Sequence, residues 1–179
     1  SLGYTTIIDK GYLETNKISK TGGLYKFNTK SVTGSENAII ASILADKDTT
    51  LSNCSMEPEV TDLINFLNLL GAKIKNTDDK ILISSVTGLS TKNKVYTIIP
   101  DRIEAGTFAV LGSIPGNNLK IVGCDTEHLE LPLKIIEACG SRIEIKKNEI
   151  QVAGEELKPF SIETESYPGF PTDLQAQFM

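Results

Sequence analysis

The stretch EPEVTDLINFLNLLGAKIKNTDDKILIS, residues 57–84, is matched later in the chain by TEHLELPLKIIEACGSRIEIKKNEIQVA, residues 126–153. In both stretches apolar residues recur every three or four positions and then stop at a glycine, Gly71 or Gly140, which is typical of an amphipathic helix with a glycine at its C-terminus. Two short apolar runs around a polar turn follow each glycine and predict a β-hairpin. The sequence therefore predicts a helix–hairpin unit that occurs twice, 69 residues apart.

The repeat extends upstream of both helices. TGSENAIIASILA, from Thr33, and DRIEAGTFAVLGSI, from Asp101, predict two apolar helices that begin with a capping residue and a glutamate three places later. TTLSNCS and LKIVGCD follow these helices as predicted strands. Each unit is thus expected to run strand–helix–strand–helix–strand–strand over about 70 residues, which is a mixed α/β (α+β) fold.

A third unit is predicted to begin near the end of the sequence. PFSIETES, residues 159–166, is interpreted as its first strand, and Thr172 with Gln175 as the capping box of its first helix. We therefore expect the chain to stop inside a repeat and to be part of a longer protein.

Composition excludes several classes of protein. A net charge of −5 without a basic stripe argues against general nucleic-acid binding, and no apolar run approaches the 18 residues of a membrane span. No signal peptide is expected at the start of the chain. Three widely spaced cysteines, Cys54, Cys124 and Cys139, and a single histidine predict reduced core thiols in a cytoplasmic protein, with neither a disulfide framework nor a metal site.

The three predicted helix starts have two interpretations. Their free N–H groups and partial positive charge would favour an anionic ligand if they met at one place. The more common alternative is that the capping residues only start helices. Spacing does not decide between the two.

Two nine-residue motifs carry a resemblance to a known family. PDRIEAGTF, residues 100–108, and FPTDLQAQF, residues 170–178, resemble motifs of the UDP-N-acetylglucosamine 1-carboxyvinyltransferase family of enolpyruvyl transferases. SVTGSENAIIAS and EPEVTDLINFLNLLGAKI are also similar to that family, and the resemblance runs from Leu2 to Phe178.

The resemblance implies an enolpyruvyl-transferase-like fold with two facing domains built from repeats of about 70 residues. Residues 1–97 would be the C-terminal part of one domain and residues 98–179 part of the opposing domain, both incomplete in this chain. The chain would cross between the domains near Val95–Ile99, and the predicted helix starts would face each other across the cleft.

The family reaction transfers the enolpyruvyl group of phosphoenolpyruvate to the 3-hydroxyl of UDP-N-acetylglucosamine, through a tetrahedral adduct and without a cofactor, as the first committed step of peptidoglycan synthesis. The resemblance implies that Asp173 is the aspartate that moves a proton and contacts the sugar. It implies that Lys30, Ser31, Val32 and Thr33 hold the uridine nucleotide. The alternatives are a favourable first-turn acid at Asp173, and an exposed lysine beside a helix cap at residues 30–33.

Asp101, Arg102 and Glu104 lie in the first motif without an assigned chemical step. The favoured interpretation is a helix cap and an ion pair near the hinge, and the alternative is a contact that lines the cleft during closure. His128 is expected to be solvated. The family's loop cysteine and its phosphoenolpyruvate-binding lysine and arginines have no counterpart in this chain.

Two other functions compete with this one. The first is the shikimate-pathway enolpyruvyl transferase, which would need a basic sugar-phosphate site in place of the nucleotide segment. The second is a nucleotide-sugar-binding module without catalysis. No protein partner is predicted.

Overall fold

The computed structural model describes residues 3–17, 21–77 and 80–179. The chain divides into two compact units, residues 1–97 and 98–179.

The first unit contains a hairpin and a four-stranded sheet with two helices. Its sheet has the strand order β3-β4-β6-β5, in which β3 pairs with β4 in parallel and the other pairs are antiparallel. The elements, in chain order, are β1 (Tyr4–Asp9), β2 (Tyr12–Lys17), β3 (Gly23–Lys26), α1 (Val32–Ser42), β4 (Thr49–Ser52), α2 (Pro58–Leu69), β5 (Lys73–Asn76) and β6 (Lys80–Ser84).

The second unit repeats most of this plan. Its antiparallel sheet has the order β7-β9-β8, which matches β4-β6-β5 of the first unit. The elements are α3 (Arg102–Ser113), β7 (Asn118–Val122), α4 (Glu130–Ala138), β8 (Arg142–Lys146), β9 (Glu149–Ala153) and α5 (Gln175–Phe178), with 3₁₀ turns at Glu127–Leu129 and Thr172–Leu174.

The predicted helix–hairpin repeat is confirmed. α2 and α4 end just before Gly71 and Gly140, whose φ angles of +107° and +110° lie in the region that favours glycine. A hairpin follows each glycine, although residues 78 and 79 of the first predicted turn lie outside the described residues. After each hairpin the chain returns to the helix end, where Ser90 N–H donates to the Leu70 carbonyl (2.9 Å) and Lys158 N–H donates to the Cys139 carbonyl (2.8 Å).

Each unit buries its own apolar core between helices and sheet. The inward positions alternate along the central strands, as Ile81 and Ile83 do on β6 and Ile150 and Val152 on β9. All three cysteines are buried, and burial raises the pKa of each thiol, so they are core residues as predicted.

Two predicted strands are wrong. PFSIETES, residues 159–166, forms no ladder, and its Thr164 makes only an isolated bridge to Phe170. The second unit also lacks an initial strand, because residues 91–100 pair with no strand of the described chain. A strand exists only when a neighbour satisfies its backbone groups, and β-like composition does not supply that neighbour.

Among the described residues, no helix is long and apolar enough to cross a membrane.

Candidate functional site

The start of α1 carries four of the predicted site residues. Ser31, and not Thr33, is the N-cap: its backbone is extended, and its Oγ accepts a hydrogen bond of 3.1 Å from Gly34 N–H. The Ser31 carbonyl also accepts from Ser35 N–H (2.9 Å) and Ser35 Oγ (2.7 Å). Thr33 was predicted to cap because it precedes Glu36 by three places, but it already lies inside the helix, where its carbonyl accepts from Asn37 Nδ2.

Lys30 and Thr33 are exposed, whereas the Val32 side chain packs partly against the core of the first unit. Within the described residues, the Lys30 ammonium group forms no ion pair or hydrogen bond. The segment therefore presents one cation and one hydroxyl to solvent beside the open N–H groups of an 11-residue helix.

Acidic groups surround the first turns of α1. Partial burial, and then the negative charges of Glu59 and Glu57, raise the pKa of the Glu36 carboxyl. Glu57 is itself buried, and its Oε2 has no hydrogen-bond partner among the described residues. The charge on Glu36 is therefore disfavoured in the folded unit.

The start of α3 is capped as the sequence predicted. Asp101 Oδ1 accepts hydrogen bonds from Ile103 N–H (2.8 Å) and Glu104 N–H (3.1 Å). The Asp101 and Glu104 side chains are exposed, but Arg102 is only 8% exposed, and its guanidinium carbon lies 5.8 Å from the centroid of the Tyr167 ring. Arg102 thus faces the loop that leads to the second motif. Roles at a hinge or cleft for these three residues stay predictions.

Asp173 lies in the 3₁₀ turn Thr172–Leu174, directly before α5. The capping box predicted at Thr172 is wrong, because Pro171 occupies the N-cap position and no side chain caps the turn. The Asp173 side chain is exposed and has no partner in the described part of the chain, while the neighbouring Leu174 is fully buried. The carboxylate is therefore available to a ligand, and the next residue anchors the turn.

The structure brings the two motifs of the second unit together. Gln177 Nε2 donates a hydrogen bond of 3.0 Å to Thr107 Oγ1, and Leu174 packs on Gly106. The sequence alone indicates no role for Gly106, Thr107 or Tyr167. The one available signal was a glycine in a helix interior, which often marks a close packing contact. Lys30–Thr33 lie in the first unit and Asp173 in the second.

A groove of about 230 Å³ in the second unit is lined by Arg102, His128, Lys134 and Tyr167, among others. His128 was expected to be solvated, but it is half-buried, and its Nδ1 has no hydrogen-bond partner among the described residues. The nearest acid is Asp125, whose Oδ2 lies 3.7 Å from that nitrogen.

The chemistry available at these positions is that of charged and hydroxyl side chains. Asp173 offers a carboxylate for proton transfer, and Lys30 offers a cation for an anionic ligand. No group of three His, Cys, Asp or Glu residues that could hold a metal ion occurs in residues 3–17, 21–77 and 80–179.

Comparisons with known proteins agree on one family. The sequence model described as EPSP synthase (3-phosphoshikimate 1-carboxyvinyltransferase) matches residues 8–179. The UDP-N-acetylglucosamine 1-carboxyvinyltransferase of Pelagibacter ubique is 44% identical over 181 residues, an alignment that covers 99% of this chain and 43% of the relative. The same-named protein of Koribacter versatilis is 40% identical over 180 residues, with 99% and 41% covered. The chain thus spans less than half the length of these relatives.

Solved structures with low sequence identity share the fold. The enolpyruvyl transferase NikO from Streptomyces tendae matches with a TM-score of 0.77 at 19% identity, over 99% of this chain and 45% of that one. EPSP synthase from Acinetobacter baumannii matches with a TM-score of 0.64 at 15% identity, over 89% and 39%. The family model, which covers nearly the whole chain, and the shared fold lead to one conclusion: this chain belongs to the EPSP synthase family of enolpyruvyl transferases.

Proposed function

We propose that the protein containing this chain transfers the enolpyruvyl group of phosphoenolpyruvate to the 3-hydroxyl of UDP-N-acetylglucosamine and releases phosphate. The observation that carries the proposal is the 44% identity to a UDP-N-acetylglucosamine 1-carboxyvinyltransferase across 99% of this chain. The EPSP synthase structure from Acinetobacter baumannii is only 15% identical, which favours the nucleotide sugar over shikimate 3-phosphate as the acceptor.

The nucleotide sugar is proposed to bind at Lys30, Ser31, Val32 and Thr33. The exposed Lys30 ammonium group has no ion-pair partner among the described residues, so it can pair with a diphosphate oxygen without breaking an existing contact. The free N–H groups at the start of α1 add further donors for an anionic group. Ser31 Oγ accepts the capping hydrogen bond from Gly34 N–H, and its hydroxyl proton can still be donated to a ligand oxygen.

Asp173 is proposed to act as the proton-transfer group of the reaction. In the addition step the sugar oxygen bonds to C2 of phosphoenolpyruvate, the hydroxyl proton leaves the oxygen, and a proton is added at C3. In the elimination step C3 loses a proton and the C2–O bond to phosphate breaks. A carboxylate at the reacting hydroxyl can accept the first proton, and groups of this kind contribute roughly 10²–10⁴-fold to rate.

The domain assignment follows from the same proposal. Residues 1–97 would belong to one domain and residues 98–179 to another. The reaction would take place in the cytoplasm, where the chain's buried thiols would remain reduced.

A phosphate-release assay on the whole protein tests the proposal. Phosphate should be released from phosphoenolpyruvate only when UDP-N-acetylglucosamine is also present. Shikimate 3-phosphate replaces the nucleotide sugar as the matched control and should give no release. Phosphate release with shikimate 3-phosphate but not with UDP-N-acetylglucosamine would assign the protein to the other acceptor. The absence of phosphate release with both acceptors would refute an enolpyruvyl transferase activity.

A further inference from the structure

We propose that α3 is the platform that positions Asp173, and that Gly106 is the residue on α3 that sets the place of the Asp173 turn. This inference rests on the catalytic role proposed for Asp173. It gives the PDRIEAGTF motif a function that needs no direct contact with substrate, because the motif acts through the segment 167–178.

The first contact joins Gly106 to Leu174, the residue next to Asp173. A methyl group added at Gly106 would lie 2.8 Å from Leu174 Cδ1, which is closer than such atoms approach, and 3.1 Å from Leu174 Cδ2, which is tight, so the Leu174 side chain would have to shift. Leu174 is fully buried, so its side chain fills the space that the missing Cβ leaves on the helix. The distance between α3 and the Asp173 turn is therefore set by the absence of a side chain at residue 106.

Two further contacts hold the ends of the same segment. After the turn, Gln177 Nε2 donates a hydrogen bond of 3.0 Å to Thr107 Oγ1, one residue along α3 from Gly106. Before the turn, the buried Arg102 guanidinium lies 5.8 Å from the centroid of the Tyr167 ring, within the range of a cation–π interaction. α3 thus contacts the segment at Tyr167, before Asp173, and at Leu174 and Gln177, after it.

Asp173 itself contributes nothing to this placement. Its exposed carboxylate makes no hydrogen bond or ion pair within the described chain, so only its neighbours fix where it lies. Displacement of a reacting group by about 1 Å can cost 10²-fold in rate. A small shift of Leu174 is consequently expected to reduce catalysis while the fold is kept.

Gly106→Ala in the whole transferase tests the proposal, with Gly112→Ala as the matched control. Both residues are buried glycines of α3, but a methyl group at Gly112 would meet Val152 Cβ (3.0 Å) and Leu119 Cβ (3.3 Å) on the sheet. We expect Gly106→Ala to lower kcat at least tenfold, with KM for the nucleotide sugar changed less than threefold. Gly112→Ala should keep kcat within threefold of wild type, because residue 112 faces the sheet and not the Asp173 turn.

A compensating substitution separates positioning from general damage. Leu174→Val removes both Cδ atoms that the new methyl group would meet, so the double variant Gly106→Ala/Leu174→Val should recover at least threefold of the lost kcat. Interaction of this sign between two contacting residues is not expected if the two changes act independently. A double variant that is no faster than Gly106→Ala would overturn the proposal.

Two measurements cover the case in which Gly106→Ala does not fold. Thr107→Val removes the acceptor of the Gln177 hydrogen bond and should lower kcat several-fold, and an unchanged kcat would contradict the proposal. Hydrogen exchange of amides 172–178 should accelerate in Thr107→Val but not in Gly112→Ala, and this readout requires no activity. Inactive wild-type protein would therefore refute the proposed function. Unchanged exchange of amides 172–178 in Thr107→Val would refute the proposal that α3 positions the Asp173 turn.

Discussion

The Tyr96 hydroxyl donates a hydrogen bond of 2.7 Å to Asp62 Oδ1 and lies 3.0 Å from the Asp62 carbonyl oxygen. The Tyr96 ring also packs against Phe66, with 5.3 Å between ring centroids. Asp62 and Phe66 are both on α2, so Tyr96 holds the segment 91–97 against that helix. Burial, together with the hydrogen bond and the negative charge of Asp62, raises the pKa of Tyr96 from 10 to about 12.

Tyr96→Phe should therefore destabilise the first unit in a pH-dependent way. The pKa is raised by folding, so the contribution of the hydroxyl is complete below pH 10 and is lost as the pH rises toward about 12. Loss of one such hydrogen bond typically costs about 1 kcal/mol. Urea unfolding at pH 8 should show this loss, while Tyr12→Phe, at a residue that is 75% exposed, should show none. A Tyr96 titration midpoint near 10, read from the difference in absorbance between wild type and Tyr96→Phe, would contradict the assignment.

Ser31→Ala should weaken the start of α1. Removal of an N-cap side chain typically costs about 1 kcal/mol of stability, and Ser31 Oγ is the acceptor for Gly34 N–H. Thr33→Ala is the matched control, because Thr33 lies inside the helix and its side chain caps nothing. Hydrogen exchange of the α1 amides, measured without substrate, should accelerate more in Ser31→Ala. Equal effects of the two substitutions would contradict the assignment of Ser31 as the cap.

Glu36→Gln should stabilise the first unit at neutral pH. Because folding raises the pKa of Glu36 above its ordinary value of 4.5, the folded state holds the proton more tightly, and stability falls as the pH rises through the window above 4.5. The amide carries no charge at any pH, so the gain should be present at pH 7 and vanish at pH 4. Glu137→Gln, at an exposed residue of α4, controls for the change in net charge. A gain of equal size at both pH values would contradict the electrostatic explanation.

Asp173→Asn should separate catalysis from folding. If the carboxylate moves a proton in the transition state, kcat should fall by roughly 10²-fold or more. Stability should hardly change, because Asp173 has no partner among the described residues and caps nothing. Glu163→Gln removes an exposed acid of the same unit and should keep kcat. A normal kcat in Asp173→Asn would contradict the proton-transfer role of Asp173 and would leave no candidate for that role in this part of the protein.

Lys30→Ala should weaken binding of UDP-N-acetylglucosamine to the whole transferase by about 1 kcal/mol or more, as for a charge-assisted contact. The affinity for phosphoenolpyruvate should change little. Lys26→Ala, at an exposed lysine of β3, is the matched control. Calorimetry that finds equal nucleotide-sugar affinity in both variants would make Lys30 an ordinary surface residue.

Local patterns predicted the helices and hairpins because the apolar period and the glycines at 71 and 140 act within a few residues of the structure that they determine. The same patterns placed the first cap two residues late, since Ser31 and Thr33 are both good caps and only the backbone conformation distinguishes them. They also predicted a strand at 159–166, where no neighbouring strand exists in the described chain. The contact between Gly106 and Leu174 joins residues 68 positions apart, and no spacing rule indicates it.

The two glycines that follow α2 and α4 occupy equivalent places but have different surroundings. Around Gly71 a Cβ atom would meet nothing within 4 Å, so the φ of +107°, which strains any side-chain-bearing residue, is the only constraint there. Around Gly140 a Cβ atom would lie 2.6 Å from the carbonyl oxygen of Glu156, where the returning chain crosses the helix end. Two units that share one plan thus place different demands on the same turn: a side chain at residue 71 would strain only the backbone, whereas one at residue 140 would also displace the returning chain.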